Sequence, residues 1–154
     1  MRFPLLSAIW LLVATLSASA DDVIPFQFDP TISSKDRVSE KQLQAVYKVI
    51  DNSLHSEQGA RLAILNSLVG RNGFRWLMES EGPGYIILRN DIKGNGVFVK
   101  VEYDHRYIQI KYHHGFDDFS CETLVGEYCY ETHKVFYKFA IRLRRNIEAQ
   151  INVL

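Results

Sequence analysis

The chain has 154 residues, of which 18 are basic and 18 acidic, with 47% hydrophobic residues and two cysteines. A net charge of zero supplies no field to gather nucleic acid, which excludes DNA or RNA as the expected main partner. The length suits one domain with a sizeable core rather than a disulfide-only miniprotein or a multidomain chain.

The first twenty residues read as a cleaved secretory signal. Arg2 is followed by an apolar run from Phe3 to Leu16, broken only by Pro4, Ser7 and Thr15, and then by Ser17-Ala18-Ser19-Ala20. The run falls short of the ~20 apolar residues that span a bilayer, and Ala18 and Ala20 suit the two small-residue pockets of a signal peptidase. The expectation is cleavage after Ala20 and a periplasmic or secreted protein that does not span the membrane. Residues 21–38 hold Pro25 and Pro30 and show no periodicity, which predicts a flexible leader. Residues 39–154 then form a single domain.

Residues 39–54 carry two signals. Leu43, Val46, Tyr47, Ile50 and Leu54 fit a helical stripe behind a Ser39/Gln42 capping box, while residues 45–50 are dense in β-formers. Ser56-Glu57-Gln58 starts a helix whose stripe is Ala60, Ala63, Ile64, Ser67 and Leu68, and Gly70 to Gly73 stops it. A meander follows. Phe74, Trp76 and Met78 alternate with Arg75, Leu77 and Glu79, and Gly82-Pro83-Gly84 turns the chain into Tyr85 to Leu88. Val97, Val99, Val101 and Tyr103 then alternate with Phe98, Lys100 and Glu102. Beyond Asp104-His105, Ile108, Ile110 and Tyr112 alternate with Tyr107, Gln109 and Lys111. A last helix over about Glu131–Asn152 presents Phe136, Phe139, Ala140, Leu143 and Ile147 on one stripe. The expected class is α+β: an antiparallel meander of four or five strands packed against an N-terminal and a C-terminal helix.

Several segments carry a resemblance: Ala63-Ile64 with Ser67, Arg71 with Gly73-Phe74, Gly84-Tyr85-Ile86, Val101-Glu102-Tyr103, Tyr107 to Tyr112, and the Phe136, Phe139, Leu143, Ile147 spacing. Through these, residues 45–150 resemble a family of small exported bacterial proteins, many of them lipoproteins, with no established activity. The resemblance implies a short strand at 45–50 and a periplasmic location. Two departures stand out. The lipid-bearing Cys of many relatives is missing, and the segment Gly115–Glu131 is longer than the family's loop.

Cys121 and Cys129 lie in that segment. In an oxidising compartment so close a pair forms a disulfide, contributing about 2–3 kcal/mol in the chain-entropy model. The tethered loop and its aromatics, Phe116, Tyr128 and Tyr130, make a candidate binding face. Lys134, Lys138, Arg142 and Arg145 form a basic stripe on the last helix, suited to anionic lipid headgroups, lipopolysaccharide or an acidic protein. His113, His114, Asp117, Asp118 and His133 are candidate metal ligands, although neighbouring histidines on a strand point to opposite faces. No nucleophile motif, phosphate loop or cofactor fingerprint is present, so neither a catalytic residue nor a cofactor is expected. The leading expectation is a non-enzymatic exported envelope protein that binds a protein or an envelope component. The alternatives are a small metal-binding protein or hydrolase built on the His/Asp cluster, and an inhibitor of a secreted hydrolase that inserts the tethered loop.

Overall fold

The computed structural model describes residues 22–32, 38–69, 76–92 and 94–154. The expected signal segment, the Gly70–Gly73 helix stop and the strand start at Phe74 lie outside the described residues.

The two signals at 39–54 resolve in favour of a helix, α1, Glu40–Tyr47. Ser39 Oγ accepts the Gln42 N–H at 3.3 Å, and Gln42 Oε1 accepts the Ser39 N–H at 3.1 Å. This reciprocal cap satisfies two otherwise orphaned donors, and the turn then buries Leu43, Val46 and Tyr47 completely. The strand expected at 45–50 is thereby corrected: only Ile50–Asp51 is extended, as β1. A cap plus a buried stripe outweighs the β-propensity of Val46, Tyr47 and Val49. The second helix, α2, covers Glu57–Ser67, with Ser56 Oγ accepting the Gly59 N–H at 3.2 Å.

The meander comprises β2 (Leu77–Gly82), β3 (Tyr85–Ile92), β4 (Asn95–Tyr103) and β5 (Tyr107–Gly115). With β1 added beyond β5, it is a five-stranded antiparallel sheet in the order β1-β5-β4-β3-β2. The expected α+β architecture is thus observed. On β4 the alternation holds, with Val97, Val99, Val101 and Tyr103 buried and Phe98, Lys100 and Glu102 half-buried. Two expectations about faces need correction. Met78 was expected to face inward with Trp76; Trp76 is buried, but Met78 is 48% exposed because β2 is the outermost strand. Gln109 and Lys111 on β5 were expected to face solvent, yet both are buried because the turn of a later hairpin closes over them.

That hairpin is β6 (Thr123–Val125) with β7 (Tyr128–Glu131), reached through a 3-10 turn at Asp117–Phe119. Glu131 therefore ends a strand, and the last helix, α3, begins at Lys134 and runs to Ile151. Its stripe Phe136, Phe139, Ala140, Leu143 and Ile147 is buried as expected. α3 packs on α2 and α1, and Phe136 meets Tyr112 of the sheet edge-on at 5.6 Å. One close approach is built on glycine: a Cβ at Gly115 would collide with the Phe119 carbonyl, where the 3-10 turn crosses β5.

The described part of the leader is docked rather than flexible, which corrects the expected flexible leader. The Val23 N–H donates to the Asp104 carboxylate at 2.8 Å, and the Asp29 N–H to the Tyr130 hydroxyl at 3.2 Å. Phe26 is 8% exposed, among Tyr128 at 4.8 Å, Tyr47 at 5.4 Å and Tyr130 at 6.3 Å. Val23 and Phe26 are its buried anchors, Ile24 between them is exposed and Pro25 interrupts the chain, a pattern that fits neither helical nor strand periodicity.

Candidate functional site

The tethered loop is a folded hairpin. Cys121 and Cys129 form a disulfide with a Cα separation of 5.8 Å, and the turn beyond β6 uses Gly126 at φ 59°. Tyr128 and Tyr130 point inward, which removes both from the expected binding face. Tyr130 is 1% exposed, while Tyr128 packs on Phe26 and Tyr47 and donates its hydroxyl to Gln109 Oε1 at 3.2 Å. Phe116 remains half-exposed, in an aromatic group with His114 at 4.6 Å and Phe98 at 6.0 Å. The exposed apolar residues of the hairpin are Leu124 and Val125.

The five candidate metal ligands separate into two places. A register shift opposite Phe98/Val99 leaves His113 without a cross-strand partner, and His114 pairs with Phe98; both imidazoles are exposed. Asp117, Asp118 and His133 instead line a cleft of about 700 Å³ beside the start of α3, with Glu122 and Glu131. His133 is engaged as the helix cap, its Nδ1 accepting the Val135 N–H at 3.3 Å. Among the described residues no group of three or more His, Cys, Asp or Glu side chains converges to hold a metal ion. The expected metal cluster is corrected accordingly, since chain proximity across a strand end and a 3-10 turn does not bring the ligand atoms together.

The basic stripe is presented differently. Lys134, Lys138, Arg142 and Arg145 line one side of a groove of about 740 Å³ between α3 and α1, where Gln42 contributes from α1. Half-buried Val135 and Ile141 line the same groove, and no carboxylate does. Lys134, Lys138 and Arg145 make no ion pair among the described residues. The placement costs stability. Lys134 opens the helix at the positive end of its dipole, and like charges at i, i+4 disfavour the helix by a few tenths of a kcal/mol per pair. Arg144, one residue before Arg145, shows the contrasting structural use. It pairs with Glu148 at 2.7 Å and donates to the Lys48 and Val49 carbonyls at 3.1 and 3.2 Å, just past the end of α1.

Sequence reasoning missed an ion network on the outer face of the sheet. Lys111 Nζ lies 2.6 Å from both Glu102 and Glu127, and Lys100 Nζ lies 2.6 Å from Glu102 and 3.1 Å from Glu127. Partial burial pushes the Lys100 and Lys111 ammonium groups down, but hydrogen bonds and charge from Glu102 and Glu127 outweigh it and raise both above the ordinary lysine value. Lys100 and Glu102 were legible as the outer residues of β4, and Lys111 as one of β5. Glu127 was not, because it arrives from the hairpin turn. The network locks the hairpin over β5, aided by the Tyr112 N–H donating to the Glu127 carbonyl at 2.9 Å. Its charges are mutually neutralised, so it presents no net field to a ligand.

Among the described residues no helix is long and apolar enough to cross a membrane. Compared with known proteins, the chain matches no family model, no curated protein and no solved structure.

Proposed function

We propose that this protein is an exported, non-enzymatic binding module that holds an anionic partner in the groove between α1 and α3. The observation that carries the reading is a row of cations on a concave surface lined by no carboxylate, in which Lys134, Lys138 and Arg145, beside Arg142, make no ion pair among the described residues. Charges kept at a cost in helix stability, while the neighbouring Arg144 is paired, are explained by a ligand of opposite sign. Export is supported by the disulfide together with the signal-like first twenty residues, and the resemblance to small exported bacterial proteins points to the periplasm. The test is a photo-crosslinking side chain at Asn146, at the edge of the groove, in intact producing cells, with the adducts identified by mass spectrometry. One dominant adduct that disappears in Lys134→Glu/Lys138→Glu supports the reading, and an adduct indifferent to that charge reversal refutes it.

A second reading rests on Leu124 and Val125, exposed on the disulfide-tethered hairpin, a rigid shape suited to insertion into a secreted hydrolase. Tight one-to-one inhibition abolished by Leu124→Asp would favour it over the groove.

A further inference from the structure

The open sheet has two edges, β1 and β2, and an edge strand leaves a row of backbone N–H and C=O groups without a partner. The edge at β1 is closed. β1 is two residues long, and the Arg144 guanidinium takes the Lys48 and Val49 carbonyls just before it at 3.1 and 3.2 Å. The edge at β2 is open. β2 is six residues long, Leu77 to Glu81 are all exposed, and among the described residues only β3 is hydrogen-bonded to its backbone.

The side chains of β2 are bared in the same direction. Leu77 stands opposite Arg89 on the outer face of the sheet, and Met78 stands opposite the fully buried Leu88 on the inner face. They are 47% and 48% exposed, although one lies on each face. A single additional strand beside β2 covers both. Charge decides which strand. Glu79 has no partner on β3, because the register shifts between Met78 and Ser80, and it makes no ion pair among the described residues. Glu81 is held by Arg61 at 2.8 Å. Two copies of β2 paired with each other gather Glu79 and Glu81 of both into one short ladder, offset only by Arg61 of each, and like charges facing across a ladder are destabilising. The edge therefore rejects its own copy, the usual purpose of charge on an exposed edge. A strand carrying Lys or Arg meets no such penalty and supplies the opposite charge at Glu79.

We infer that the β2 edge accepts an extended basic segment of a different protein as an added strand, with two consecutive apolar residues beside Leu77 and Met78 and a Lys or Arg beside Glu79. The inference does not rest on the groove between α1 and α3, none of whose lining residues belongs to β2.

The test uses a capped decapeptide with a central Val-Val flanked by lysines, a twin with Gln in place of Lys, and two copies of the first N-methylated on alternate residues, one for each strand edge. Binding to the full protein is read by fluorescence anisotropy, and its place by residue-resolved amide hydrogen exchange. The basic peptide is expected to slow exchange within β2 and to bind about 5-fold more tightly than the Gln twin, the ratio that one favourable cross-strand charge pair supplies. Glu79→Lys, an exposed change whose folding is checked by circular dichroism, should abolish that preference, and at least one N-methylated copy should lose binding. Undiminished binding by both N-methylated copies shows attraction of charge without strand pairing and overturns the inference. Protection of a segment other than β2, a preference for Lys that survives Glu79→Lys, or no binding of the basic peptide at ~1 mM overturns it as well. A dimer of the protein alone with protected β2 amides places a second copy on the edge and overturns it too.

Discussion

The hairpin is anchored to α1 through the backbone N–H and carbonyl of Cys129, and two tyrosines that share the carbonyl should differ sharply on losing their hydroxyls. Tyr47 Oη accepts the Cys129 N–H at 3.0 Å and donates to the Cys129 carbonyl at 3.0 Å, while Tyr137 Oη donates to the same carbonyl at 3.1 Å. Cys129 is fully buried. In Tyr137→Phe the carbonyl keeps Tyr47 as a donor, so the loss is one ordinary hydrogen bond, about 0.5–1.5 kcal/mol. In Tyr47→Phe the carbonyl keeps Tyr137, but the Cys129 N–H loses its acceptor in the interior, which adds the cost of a stranded donor and brings the total to about 2–3 kcal/mol. Equilibrium urea unfolding with the disulfide intact measures both. With a slope of ~2 kcal/mol/M, Tyr47→Phe should lower the midpoint by about 1–1.5 M and Tyr137→Phe by about 0.3–0.7 M. A Tyr47→Phe variant no less stable than Tyr137→Phe would show that the stranded N–H finds another partner, and the reasoning would fail.

Three further outcomes follow from the same geometry. Gly115→Ala should cost more than about 3 kcal/mol or prevent folding, because its Cβ meets backbone rather than a movable side chain; thermal melting or loss of soluble yield reads this out. Reducing Cys121–Cys129 should cost about 2–3 kcal/mol, seen as a lower urea midpoint in a thiol reductant than in its absence. Partial burial raises the Glu127 carboxyl, but hydrogen bonds and charge from Lys111 and Lys100 outweigh this and hold it below its ordinary value of 4.5. A depressed carboxylate stabilises the fold above its unfolded value and loses that contribution as the pH falls through the folded one. Stability measured below about pH 4.5 should therefore fall more steeply in the wild type than in Glu127→Gln, and parallel acid limbs would count against the network.

How far the candidate site could be read in the sequence depended on how local its signals were. The cation row was visible because four charges at helical spacing lie within twelve consecutive residues. That the row borders a groove was not, since the opposite wall comes from α1, around Gln42. The metal cluster failed for the converse reason: its ligands are close along the chain, but a register shift and a 3-10 turn send them to different places. Tyr128 and Tyr130 were read as surface aromatics because nothing near them in sequence reveals that Phe26 and Tyr47 enclose them.

The sequence alone determined α2, the meander from β2 to β5, the buried stripe of α3 and the cysteine pairing. Each of these rests on periodicity, turn residues or proximity within a short stretch of chain. Tertiary structure decided that α1 is helical, that the leader docks through Val23 and Phe26, that a hairpin closes over Gln109 and Lys111, and that the cations face a groove. Those outcomes join residues such as Val23 and Asp104, or Tyr47 and Cys129, separated by 81 and 82 positions. Local propensity is blind at that distance; burial of apolar surface and satisfaction of buried polar groups, which act between whatever the fold brings together, made the choice.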